Sequence, residues 1–323
     1  VTSNPSGACV TLSRFIEDGA RKVLCDARVI GETPLTLSLS RGEEWCFTLT
    51  LSGYRTVVYP FAVRSRPRVS SVDVTLYHEE EVGEGWVHIP RGWYVIGGGH
   101  EKALGSRRQR MLWVHDFFMQ KNFVTRRLYD HYLATLTPEE QKKRWPSTWE
   151  AGAVSLPADA AVDGISWDDA VAYADWLSHT HHDVIMLPTE DQWESAMRGP
   201  LSWFLASGDR FDYRILPSRL MGIHTMPVVG SFTPTGTPSG ADASVFGVAN
   251  PMMLSSFAIC PRDEMVPPGS TVGRHMIRSG AHLFANLPMH YVTSRYAIGE
   301  SKTWICGIRL VRFPRRSVTP SSG

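Results

Sequence analysis

"GISWDDAVAYADWLSHTHHDVIMLPTEDQWESAMRG", residues 164 to 199, holds two helix starts with a short apolar run between them. In the first, Ser166 is the predicted N-cap, and Asp168 and Asp169 stand in the first turn, where the helix dipole favours carboxylates. Trp167, Ala170, Val171, Ala174 and Leu177 then recur at helical spacing and predict one apolar stripe. In the second, Thr189 and Gln192 have the spacing of a capping box, and Gly199 supplies the stop. Trp193, Ala196 and Met197 form its predicted buried face. "DVIMLP", residues 183 to 188, reads as a short buried strand.

Upstream, "VTRRLYDHYLATL" (124–136) predicts a further helix, with Thr125 as N-cap and Leu128, Tyr132 and Leu133 on one stripe. Downstream, residues 200 to 275 carry little periodicity and are punctuated by Pro, Gly and Ser, which predicts long loops. Strand patterning returns in "HMIRSGAHLFANL" (275–287), "HYVTSRYAIG" (290–299) and "WICGIRLVRF" (304–313).

The first part of the chain differs. "ACVTLSRF" (8–15), "PLTLSLS" (34–40), "WCFTLTL" (45–51), "YRTVVYPFAV" (54–63) and "SSVDVTLY" (70–77) read as strands, with no convincing helix among them. A small antiparallel β-sandwich follows from that pattern. The acidic, Gly-containing "YHEEEVGEG" (77–85) reads as a linker. The chain is thus divided into a β-sandwich at 1–80, a mixed domain at 85–314 and a flexible tail at 315–323, an α+β organisation.

Thirty-three basic and 32 acidic residues give a net charge of +1, which offers no electrostatic case for nucleic acid. No apolar run reaches the length of a membrane span, and no signal-peptide pattern is readable at the start. Five widely spaced cysteines without a CxxC pair predict buried free thiols and a reducing compartment, rather than a disulfide framework or a zinc site.

Two resemblances add to this reading. The first unit resembles a PEGA domain in Gly31, Thr33, Pro34 and Leu35, in Gly53 and Tyr54, and in the worn signature "NPSGA" (4–8). That implies a binding or spacing module, with Pro34 opening a strand. Residues 85 to 314 resemble the formylglycine-generating enzyme family, also called sulfatase-modifying factors. The resemblance is carried by "IPRGWYVIGG" (89–98), "GISWDDAVAYADWL" (164–177), "MLPTEDQWESAMRG" (186–199) and "RSGAH…SRY…CGIRLVR" (278–312). It implies a variant of the C-type lectin fold with a few helices, short strands and long loops. Bacterial proteins of this make-up are attached to Ser/Thr protein kinases, which implies a sensory or scaffolding region.

Catalytic relatives carry two copper(I)-binding cysteines after the Arg-Gly segment. Counted from Arg278, the equivalent positions are Phe284 and Met289. A phenyl ring cannot ligate, and one thioether does not replace two thiolates. "MLSSFA" (253–258) likewise lacks the Asn and Glu of the family's calcium-associated segment. The expectation is therefore a protein with no catalytic residue, metal or cofactor, its surface retained for a protein or peptide ligand. Within the family the strand after Arg278 lies on a concave outer surface, where variable proteins diversified by retroelements bind their ligands. His282, Phe284, Asn286, His290 and Tyr291, with Trp304, are the candidate binding residues, since aromatics with His and Asn join contact area to directional hydrogen bonds. The competing reading is a divergent copper-dependent oxidoreductase with another ligand set; a third is a structural spacer.

Two smaller motifs are read as structure. "HTHHD" (179–183) closes a helix, with metal binding as the alternative, and the glycines of "IGGGH" (96–100) form a turn and not a phosphate loop.

Overall fold

The structure is a computed structural model. It describes residues 1–19, 21–63, 71–101, 103, 105–149, 157–206, 208–210, 255–259, 275–278, 293–297, 301–303 and 306–314. The first unit contains β1 (Thr2–Asn4), β2 (Cys9–Asp18), β3 (Arg21–Glu32), β4 (Glu44–Thr50), β5 (Val57–Ala62) and β6 (Asp73–Thr75). An antiparallel sheet in the order β3-β2-β4-β5 faces the pair β1-β6. Val10, Leu12, Phe47, Leu49 and Val57 from the larger sheet bury against Val74 of β6 and its neighbours Val72 and Leu76.

Three details differ from the sequence reading. The pair β1-β6 is parallel, with Thr2 opposite Asp73. The two strands open and close the unit, so the long connection that a parallel pair requires is the unit itself. β3 is a twelve-residue strand that the pattern did not separate. Residues 35 to 40, expected as a strand behind Pro34, join no ladder. Leu35, Leu37 and Leu39 nevertheless alternate inward and pack on the core. Alternation reports which side chains are buried; it does not report backbone pairing.

"YHEEEVGEG" contains a short helix, α1 (Glu79–Val82), with Val82 buried. The His78 backbone N–H donates to the Glu81 carboxylate at 2.9 Å, and its ring stacks on Tyr54 at 4.1 Å. The second unit then runs through β7 (Trp86–Ile89), β8 (Gly92–Ile96), β9 (Arg110–Val114), β10 (Phe117–Gln120), α2 (Arg126–Leu133) and α3 (Pro138–Arg144). It continues with α4 (Trp167–His181), β11 (Ile185–Met186), α5 (Glu190–Arg198), β12 (Ser255–Ile259), β13 (His275–Arg278), β14 (Arg295–Ala297), β15 (Cys306–Gly307) and β16 (Val311–Arg312). These strands form the sheets β11-β16-β10-β7 and β14-β13-β12-β15 and the hairpin β8-β9.

The capping residues act as read: Thr125, Ser166 and Thr189 each accept a backbone N–H of the first turn. Asp169 and Gln192 complete capping boxes. The α2 stripe is rotated, however. Leu128 is 48% exposed, and Tyr129 is buried with Tyr132 and Leu133, stacked on Tyr173 of α4 at 5.7 Å. In α4, Ala170, Tyr173 and Ala174 are buried, while Trp167, Val171 and Leu177 lie at the margin. The tyrosines occupy the place expected for leucine because each buries a large ring.

The two units touch on two sides. At the tip of the β2-β3 hairpin, Phe15 meets Trp203 edge-on at 5.0 Å, and the Trp203 indole donates to Glu44 at 3.1 Å. Lys22 bridges Glu44 and Asp209 at 2.7 and 2.9 Å. On the other side, Tyr77 packs edge-on against His88 and Phe118 at 4.9 and 5.2 Å. The His88 Nε2 is 2.7 Å from Asp116, and Arg91 pairs with Asp73.

Candidate functional site

α5 positions the site. Its capping box and stop glycine fix its ends, and Trp193, Ala196 and Met197 bury the expected face. The remaining face is buried too, and that face is charged. Glu190, Glu194 and Arg198 follow one another on successive turns, all nearly inaccessible.

Burying ionised groups is tolerable only when they are paired and hydrogen-bonded. Here the pairing comes from the returning strands. Arg278, fully buried at the end of β13, places its guanidinium 3.3 Å from Glu190 and 2.7 Å from Glu194, and lies over the Trp193 ring at 5.5 Å. Arg295, at the start of β14, holds Glu190 through Nε and Nη2, both at 2.9 Å. Arg198 binds Glu194 at 2.9 Å and donates to the carbonyls of Gly97, Ser202 and Trp203 at 2.9, 3.0 and 2.9 Å. Burial pulls its guanidinium below the usual arginine value, and Glu194 pulls the other way.

The glycines of "IGGGH" serve this cluster. The Gly97 N–H donates to Glu194 at 2.6 Å, and a Cβ on Gly97, whose φ is 74°, would stand 2.5 Å from the Arg108 carbonyl. A Cβ on Gly99, at φ 94°, would stand 2.6 Å from the Thr293 hydroxyl. The turn therefore lies against the chain where it re-enters β14. It is a turn, as the sequence reading held, and its task here is close packing.

The cluster thus grips both ends of the segment between Arg278 and Arg295. His282, Phe284, Asn286, His290, Tyr291 and Trp304, together with Met289, lie outside the described residues. Of the sequence motifs, Arg278 and Arg295 are brought together. Glu190, Glu194 and Arg198, which complete the cluster, were not singled out. The available signal was their recurrence every fourth residue on a helix whose other side is apolar.

Elsewhere the expectation of buried thiols changes in part, and that of a helix-closing histidine cluster holds. Cys46 and Cys306 are buried, whereas Cys9 and Cys25 are only half-buried; all four are free. His179, His181 and His182 are exposed at the end of α4. His182 adopts the left-handed conformation of a C-cap at φ 50°, and the His179 ring nitrogen lies 2.6 Å from the Asp175 carbonyl.

Comparison with known proteins agrees with this architecture. The profile of the family described as sulfatase-modifying factor enzyme 1-like domain matches residues 74–219, which include α4 and α5. Among solved structures, the chain is similar to PvdO from Pseudomonas aeruginosa, with a TM-score of 0.52 and 16% identity over 71% of this chain and 94% of that one. It is also similar to CarF, with a TM-score of 0.50 and 18% identity over 71% of this chain and 97% of that one. No curated protein matches it. At such identities the likeness establishes the fold. It is a mixed α/β arrangement, mostly strands with few helices, consistent with the C-type-lectin-like fold of formylglycine-generating-type domains.

Proposed function

We propose that this chain is a non-catalytic recognition protein of the sulfatase-modifying-factor type, in which the segment between Arg278 and Arg295 meets a protein or peptide ligand. One observation carries the reading: both ends of that segment are held on the buried carboxylate of Glu190, while the segment itself contains no cysteine. The frame is kept and the soft ligands that copper(I) chemistry needs are missing.

The first unit is read as PEGA-like. Gly31 and Gly53 take positive φ values of 138° and 82°, and the buried Thr33 hydroxyl accepts the Ala8 N–H at 3.0 Å. On the resemblance alone, the whole is assigned to the sensory or scaffolding part of a Ser/Thr kinase.

The test is selection of a displayed peptide library on the immobilised full chain, with Phe284→Ala as the comparison. Peptides that are enriched on the parent and lost on a Phe284→Ala protein of unchanged melting temperature support the reading. Equal enrichment on both, or a large fall in melting temperature, removes Phe284 from the binding surface.

A further inference from the structure

The β8-β9 hairpin has two faces of opposite character. Tyr94, Ile96 and Val114 enter the core. The other face carries Trp93, 57% exposed, Met111, also 57%, and Trp113, 42%. Trp93 and Trp113 stand opposite each other across the strands, their rings edge-to-face with centroids 5.5 Å apart. Gln109 and His115 continue this face along the chain and are exposed, while Val95, opposite Met111 on the same face, is buried. Single exposed apolar side chains are ordinary, but three large ones adjoining on one sheet face make a patch. Tryptophan is enriched among residues that dominate binding energies, and methionine adapts its shape to a partner.

Two further features select the occupant. From Lys102 to His115 the sequence holds Lys102, Arg107, Arg108 and Arg110 and no Asp or Glu. Arg107 and Arg110 hold Asp191 of α5, whereas Arg108 is exposed. Among the described residues the hairpin is a two-stranded sheet with no third strand, so an outer edge of backbone groups is offered to an extended chain.

We propose that this hairpin is a second docking surface, for an extended acidic segment of a partner protein. The segment lies along the hairpin, with apolar side chains on Trp93, Met111 and Trp113 and carboxylates toward Arg108. Such a site shares no described residue with the cluster on Glu190.

The experiment is calorimetric titration of the full chain with an end-capped peptide of alternating Glu and Val, with its Lys-for-Glu counterpart, and with a single-stranded oligonucleotide. The acidic peptide is expected to bind and the other two to fail. Trp93→Ala should weaken binding by about tenfold or more at unchanged melting temperature. Arg108→Glu, a surface change that leaves the fold alone, should weaken binding and flatten its salt dependence. Phe284→Ala should leave it unaltered, which separates this site from the proposed ligand surface. Failure of the acidic peptide to bind, equal binding of the Lys peptide, binding of the oligonucleotide, or indifference to Trp93→Ala would each overturn the proposal. So would self-association of the parent that Trp93→Ala abolishes, since the occupant would then be a second copy.

Discussion

Arg278 and Arg295 stand directly opposite each other on β13 and β14, and both are bound to the carboxylate of Glu190. Like charges placed opposite across strands repel, and in a buried setting the repulsion is little screened. Glu190 therefore does more than fill a helix position: it makes this strand pairing tolerable. Removing one partner of a buried ionic group leaves the others uncompensated, at a cost of about 3–5 kcal/mol. Glu190→Ala is expected to lose about that much in urea denaturation, and Glu190→Gln less, because its amide oxygen still accepts. A loss under about 1 kcal/mol for Glu190→Ala would mean that the strands are held by other means.

Trp203 and Lys22 tie the first unit to the chain just beyond α5. Trp203 is buried, and truncating a buried aromatic costs about 3–5 kcal/mol. Heating should accordingly give one cooperative transition for the whole chain. A fragment beginning at residue 85 lacks Phe15, Lys22, Glu44 and Tyr77, and is expected to melt below the full chain. Two transitions, with the fragment melting as it does in the intact protein, would show the units to be independent.

The starts of α2, α4 and α5 were legible because caps are local chemistry: a hydroxyl at Thr125, Ser166 or Thr189 satisfies a backbone N–H within the same turn. The buried face of Trp193, Ala196 and Met197 was legible for a similar reason, since apolar spacing is written along one helix. The opposite face of α5 was not. Glu190 and Glu194 look like solvated helix carboxylates until Arg278 and Arg295 arrive from about ninety residues away. Likewise, nothing local to Leu35–Ser40 distinguishes a ladder strand from an extended segment whose leucines merely pack. The parallel pairing of β1 with β6 is a relation between the two ends of a unit, and periodicity within either strand is silent on it.

Asp163 offers a pH test. Burial lifts its carboxyl above the usual carboxylate value, against the Thr148 hydrogen bond at 2.9 Å and the charge of Arg126, which pull it down. A carboxyl raised by folding binds its proton more tightly in the folded state. Its contribution to stability is therefore fully present below the unfolded value and is lost as pH rises through the folded one. Asp163→Asn removes the charge and keeps an oxygen that accepts from Thr148. The variant is expected to melt at or above the parent at neutral pH, and to lose that advantage below about pH 4. Melting curves across that interval decide it. A variant much less stable than its parent at neutral pH would show that the charged form is the one the fold requires.

The question of residual chemistry turns on sulfur. Copper(I) is held by soft ligands, and a pair of thiolates binds it where a lone thioether does so weakly. On the resemblance to formylglycine-generating enzymes, counted from Arg278, their two cysteine positions fall at Phe284 and Met289. Of the described thiols, Cys46 and Cys306 are buried, and burial pushes the Cys46 thiol up to about 12 and Cys306 well above its usual value. A thiol held protonated is a poor ligand and a poor nucleophile. The purified protein is therefore expected neither to bind copper(I) tightly nor to consume oxygen with a cysteine-containing peptide. Copper(I) competition against a chelating indicator, followed by X-ray absorption of any bound metal, measures the first; an oxygen electrode measures the second. Stoichiometric copper with two sulfur neighbours would establish a different ligand set and return the chain to the oxidoreductases. Oxygen uptake that disappears in Met289→Ala would do the same and would place the metal in the segment that Glu190 frames.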